Sequence, residues 1–111
     1  MIHQFGYFKV YKQNIDEAKA YITKFINKVT INEVNTRVYT SFQSLDDETK
    51  FTHYMIFKDK TAEEYHRNTH WVKEFVKELY PICEEQPRFE KVELIAPSFS
   101  DLVIKIGPAI Q

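Results

Sequence analysis

The sequence predicts an α+β fold with the element order β-α-β-β-α-β, and three observations carry that prediction. Segments that alternate in apolar character with a period of two flank segments whose apolar residues recur at three- and four-residue steps. Capping residues and proline separate the two kinds of segment. At 111 residues the chain makes one domain, whose folding buries about two-thirds of the surface of its unfolded form and leaves modest stability.

His3 to Tyr11 is the first strand, with Phe5, Tyr7, Lys9 and Tyr11 on one face and Gly6, Phe8 and Val10 on the other. Both faces are largely apolar, the pattern of a strand covered on both sides. Asn14 then offers a helix cap with Glu17 three residues on, a capping box. Ile15, Ala18, Ile22, Phe25, Ile26 and Val29 form one buried helical stripe. Val34 to Gln43 alternates and is the second strand. After the polar turn from Ser44 to Thr49, Lys50 to Lys58 is the third, and the two make a hairpin. In that third strand Phe51, His53, Met55 and Phe57 share a face.

Thr61 and Glu64 form a second capping box, opening a short helix that runs to Asn68. Thr69 caps or breaks before a helix from His70 to about Cys83, striped by Trp71, Val72, Phe75, Val76, Leu79 and Ile82, with Pro81 ending or kinking it. Arg88 to Ile95 is the fourth strand. The core domain therefore spans residues 1–95. The tail, 96–111, carries a short apolar strand that a four-stranded domain does not need, expected to pair across a subunit boundary.

This is the ferredoxin-like split βαβ order with an antiparallel sheet. Its helices cover one face of the sheet, so the apolar second face predicts a cover from a second copy, a homodimer.

Composition excludes several functions. Fifteen basic and sixteen acidic residues are well mixed, for a net charge of −1, so no single-sign field draws in nucleic acid or an anionic membrane. The third strand also lacks the glycine and basic flank of an RNA-recognition sheet. No apolar run approaches the roughly 18 residues of a membrane span, and the chain opens without a leader pattern. A soluble, cytoplasmic protein is expected. The single Cys83 has no partner for a disulfide and no nearby histidine to activate it, and the adjoining Glu84 and Glu85 disfavour its thiolate. With only Gly6 and Gly107 there is no phosphate-binding loop for a dinucleotide cofactor.

The run Phe57, Ala62, His66, Thr69, Lys73, Phe75 resembles the antibiotic biosynthesis monooxygenase superfamily, the dimeric α+β barrels. Its members follow a strand-three aromatic with Ala at the fifth position and His at the ninth, then a Thr, Lys and Phe continuation. Met55 stands where the family often has Glu. Trp71 stands where a second helical His is usual, with His70 one position early. The resemblance spans roughly residues 3–95 and implies a homodimer with a pocket between sheet and helices in each subunit. It implies oxygenation of phenols or quinols with neither metal nor flavin, so no cofactor is expected. Haem degradation, found in some relatives, is disfavoured because Phe75 and Val76 occupy the region where such relatives carry an axial histidine.

His66 is the leading candidate base, since imidazole takes a phenolic proton near neutral pH; its alternative is a structural histidine bonding a carbonyl. His53 and Arg37 are expected to assist it, or else to pair across strands. Phe57, Trp71, Phe75, Tyr39 and His70 are candidates for the wall of a pocket holding a small aromatic molecule, although residues like the first three are more often simply core. His66 and His70 have metal-ligand spacing, but Thr69 interrupts the helix between them and no third ligand follows, so no metal site is expected. Two functions stay open: a cofactor-independent monooxygenase acting on a phenol or quinol, and a non-catalytic, stress-associated or ligand-binding homodimer.

Overall fold

The computed structural model describes residues 1–97. The tail strand expected within Asp101 to Pro108 lies outside the described residues. The elements are β1 (Ile2–Val10), α1 (Ile15–Asn32), β2 (Thr36–Gln43), β3 (Lys50–Phe57), α2 (Lys60–Asn68), α3 (His70–Leu79) and β4 (Cys83–Val92), with 3₁₀ turns at Lys12–Asn14 and Tyr80–Ile82. The strands form one antiparallel sheet in the order β2-β3-β1-β4. This is the ferredoxin-like arrangement the periodicities predict.

Register assigns each strand residue to a face. Gly6 pairs with His53, Phe8 with Phe51, and Gln4 with Met55, and this is the face the helices cover. Phe5 opposite Tyr54, with Tyr7 opposite Thr52, forms the other. The α1 stripe buries Ala18, Ile22, Phe25 and Val29, and α3 buries Phe75 and Leu79. The two helices meet where Phe25 and Phe75 stack, ring centroids 4.2 Å apart and planes within 4°. Such a pair contributes roughly 0.5–1.5 kcal/mol beyond its burial.

Several boundaries differ from the sequence reading, each for a local reason. Asn14 does not accept a backbone N–H at the start of α1. Its amide donates instead to Glu17 Oε1 at 2.9 Å. β2 starts at Thr36 because α1 continues to Asn32 and the Glu33 amide bonds the Val29 carbonyl, leaving Val34 83% exposed. The cap of α2 is Asp59, whose carboxylate accepts from the Ala62 amide at 2.9 Å, so Thr61 lies inside the first turn. Thr69 does cap α3, its hydroxyl accepting from the Val72 amide.

The largest shift concerns α3 and β4. The helix ends at Leu79, Pro81 sits in the 3₁₀ turn, and Cys83 already pairs with Val10. β4 accordingly begins five residues before Arg88 and ends at Val92, three before Ile95. The ladder slips between Tyr7↔Arg88 and Lys9↔Glu85. Gln86 and Pro87 fall in this irregular step on an edge strand, where a residue without an N–H is tolerated.

Candidate functional site

Between sheet and helices lies a cavity of about 620 Å³, within the size range of small-molecule sites. Phe8, Tyr39, His53, Met55 and Phe57 line it from the sheet, Phe25 from α1, His66 from α2, and Val72, Phe75, Val76 and Leu79 from α3. Gln4, Glu63, Arg67, Phe89 and Lys91 are also in the lining, with Lys91 Nζ 2.9 Å from Glu63 Oε2. At Gly6 the approach is close: a Cβ there would stand 2.9 Å from Cε1 of Phe89, its cross-strand neighbour, whose ring would have to shift.

His66 reaches the cavity from the last turn of α2, 7% exposed. Its ring lies 5.1 Å from Phe57 and 5.6 Å from Tyr39, centroid to centroid. Behind it stands Glu33, the residue that follows α1, with a side chain only 1% exposed. His66 Nδ1 is 2.8 Å from Glu33 Oε1 and 3.0 Å from Oε2. Two further donors hold the same carboxylate: Trp71 Nε1 to Oε2 at 2.6 Å and the Thr36 hydroxyl to Oε1 at 2.6 Å.

Burial by itself would raise the Glu33 carboxyl, but the hydrogen bonds from His66, Thr36 and Trp71 outweigh it and hold the group below its ordinary value. The group is therefore a carboxylate, which only accepts, so Nδ1 carries the imidazole hydrogen. Nε2 makes no hydrogen bond among the described residues, and in the neutral ring it holds the lone pair. A carboxylate fixing an imidazole in one tautomer, with the opposite nitrogen unpaired, is the arrangement of a general base.

A second histidine lies deeper. His53 is 3% exposed, and its Nδ1 is 3.0 Å from the Tyr39 hydroxyl. Burial pushes its pKa down to about 4 and pushes that of the Tyr39 phenol far above its ordinary value.

Of the residues singled out in the sequence, His66, His53, Tyr39, Phe57 and Phe75 come together around the cavity. Arg37, His70 and Trp71 do not line it. Arg37 falls in the irregular step of the β2–β3 register between Thr36 and Val38. His70 is exposed at the start of α3, because the break at Thr69 turns it away from His66. Trp71 serves the site from behind, through Glu33. Among the described residues no group of three or more His, Cys, Asp or Glu side chains is placed to hold a metal ion. The Cys83 thiol is buried and pushed up to about 11 by desolvation, a poor nucleophile. Sequence reasoning missed Glu33, Gln4, Glu63, Arg67 and Phe89. Glu33 lies beyond the helical stripe of α1 and is joined to His66 only by the fold.

Fold and site together define a ferredoxin-like α+β protein with a largely aromatic and apolar pocket and a carboxylate-backed histidine. No protein-family model matches the sequence, and no curated protein does. Solved structures do share the fold. One is an antibiotic biosynthesis monooxygenase, 16% identical, covering 86% of this chain and 100% of its own at a TM-score of 0.80. Another, from Caulobacter crescentus CB15 and described as a candidate member of that group, is 20% identical over 86% of this chain and 90% of its own, TM-score 0.81. A third, from Nitrosomonas europaea and described likewise, is 18% identical over 86% and 91%, TM-score 0.79. The chain thus has the fold of the antibiotic biosynthesis monooxygenases. No helix among the described residues is long and apolar enough to cross a membrane.

Proposed function

We propose that this protein is a cofactor-independent oxygenase of small phenols or quinols, with His66 as the base that forms the reactive phenolate. The observation that carries this reading is the Glu33–His66 pair, 2.8 Å apart and buried, with Nε2 of the ring left unpaired beside an aromatic cavity. The names of the solved structures that share the fold support it.

A flat substrate lies between Phe57, Tyr39 and Phe75, and its hydroxyl gives a proton to His66 Nε2. The resulting imidazolium is stabilised by the Glu33 carboxylate. An apolar pocket leaves the phenolate poorly solvated and electron-rich, so that it reacts with O₂ directly. One oxygen atom enters the ring carbon and the other leaves as water. A quinol supplies all four electrons, since loss of its two hydroxyl hydrogens and oxygenation of one ring carbon each account for two. No external reductant is needed.

The sheet face away from the helices supports a homodimer as the working unit. Phe5 and Tyr54 stack there at 4.9 Å, Phe5, Tyr7, Val38 and Tyr54 remain half-buried, and Phe42 is 55% exposed. A single chain leaves this apolar strip in water, and a second sheet covers it.

The test is oxygen uptake by metal-stripped protein with a panel of anthrone- and quinol-type phenols. Uptake that falls at least tenfold in His66→Ala supports the reading. Uptake no greater than the uncatalysed background with every compound would make the protein a non-catalytic binder, the reading that the Met55 and Trp71 departures favour.

A further inference from the structure

The mechanism above leaves the buried His53 in the cavity without a task. His53 lies on β3 in the cavity lining, clamped edge-on by Phe8 at 5.0 Å and stacked with Phe75 at 6.1 Å. Its Nδ1 is bound to the Tyr39 hydroxyl. Its Nε2 is buried and has no hydrogen-bond partner among the described residues.

The hydrogen on this ring can be placed. Burial keeps both the imidazole and the Tyr39 phenol neutral around pH 7. Phenol is the better donor and an imidazole imine nitrogen the better acceptor, so Tyr39 donates to Nδ1 and the imidazole hydrogen sits on Nε2. Buried N–H groups in native structures almost always have a partner, and this one has none among the described residues. The two cavity histidines are therefore opposites: His66 Nε2 accepts, and His53 Nε2 donates. Both rings pack on Tyr39, at 5.6 Å and 5.3 Å, so one bicyclic or tricyclic ligand lying on Tyr39 spans both.

We propose that His53 is a specificity-determining residue whose Nε2–H donates to a carbonyl oxygen of the ligand, so that the preferred ligands are hydroxy-aromatic ketones rather than simple phenols. The proposal rests on the function proposed above, from which it takes the hydroxyl end of the ligand. Tyr39 is a positioning residue that fixes the His53 tautomer.

The test is calorimetric binding at pH 7, without oxygen, of a matched pair: 6-hydroxy-2-tetralone and 5,6,7,8-tetrahydro-2-naphthol. They have the same shape and similar phenol acidity, since the ketone is not conjugated with the ring. The wild-type protein is expected to bind the ketone about tenfold more tightly, the size of effect a buried hydrogen bond to a neutral donor gives. In His53→Phe that ratio falls to about one, whatever the change in affinity for the simple phenol. In Tyr39→Phe, which keeps the ring and frees the tautomer, the ratio falls part of the way. In His66→Ala both compounds weaken and the ratio persists.

A wild-type ratio near one overturns the assignment without any variant, as does a ratio that survives in a folded His53→Phe. Equal affinity in wild type and His66→Ala, with the ketone preference intact, overturns the proposed base and leaves the His53 assignment standing. Binding of neither compound at millimolar concentration overturns both.

Discussion

Glu33 Oε1 lies 2.8 Å from His66 Nδ1, across 33 residues of sequence and between the ends of two helices. The pair converts an imidazole on a short helix into a directional base, because the carboxylate decides which nitrogen holds the hydrogen. Glu33→Gln keeps the shape and can still accept from Trp71, but it no longer stabilises the imidazolium. Turnover is predicted to fall about a hundredfold or more, with KM little changed, by analogy with the loss seen when a carboxylate behind a catalytic histidine becomes an amide. A purely structural role predicts instead a parallel loss of thermal stability and binding with the pH profile unmoved.

Glu33→Ala is a different experiment. It leaves the half-buried Trp71 indole N–H and Thr36 hydroxyl and the buried His66 Nδ1–H without their acceptor. A cost of about 3–5 kcal/mol is predicted, because groups stripped of a buried charged partner bear their full desolvation penalty. Urea unfolding of Glu33→Ala beside Glu33→Gln measures it, and equal midpoints for the two would contradict the network.

Stability should depend on pH through His53. In the unfolded chain this group titrates near 6.5, and in the folded protein at about 4. Between those values the unfolded chain binds more protons, so stability is lost as pH falls from about 6.5 towards 4 and regained as pH rises through the same window. The contribution is on the order of 3 kcal/mol at its fullest. Unfolding midpoints of wild type and His53→Phe at pH 7.5 and 4.5 isolate it from the carboxylates, and identical pH slopes would contradict it.

Gly6 and Phe89 are coupled across β1 and β4, the ring lying where a side chain at Gly6 would begin. Phe89 is 55% exposed, so in Gly6→Ala its ring can swing outward, and a stability loss of no more than about 1 kcal/mol is predicted. Ligand affinity should fall more than stability does, because the same ring closes the cavity. Combining Gly6→Ala with Phe89→Ala in a double-mutant cycle should recover most of the stability loss. Additive losses would show that the two do not interact.

The elements of this fold are legible in the sequence because each has its own periodicity: the α1 stripe, the β3 alternation and the Thr69 break all stand in the structure. What was not legible arises from contacts between elements. The fourth strand reads as starting at Arg88, and only the slip of β4 against β1 gives Pro87 a place inside it. Glu33 reads as a solvated residue after a helix until α2 brings His66 to it. Histidine and tyrosine on a strand or short helix are unusual enough to single out His66, His53 and Tyr39, and all three line the cavity. The same logic singles out Arg37, His70 and Trp71, which do not line the cavity because the register step and the helix break set them elsewhere.

The central claim is that His66 makes the phenolate, and binding of 2-naphthol at pH 7 without oxygen, followed by ultraviolet difference spectroscopy, tests it most directly. The wild-type protein is predicted to show the red-shifted naphtholate band, and His66→Ala to bind the neutral naphthol with no such band. A neutral naphthol spectrum in the wild-type complex, or the same naphtholate band in both proteins, would contradict the account.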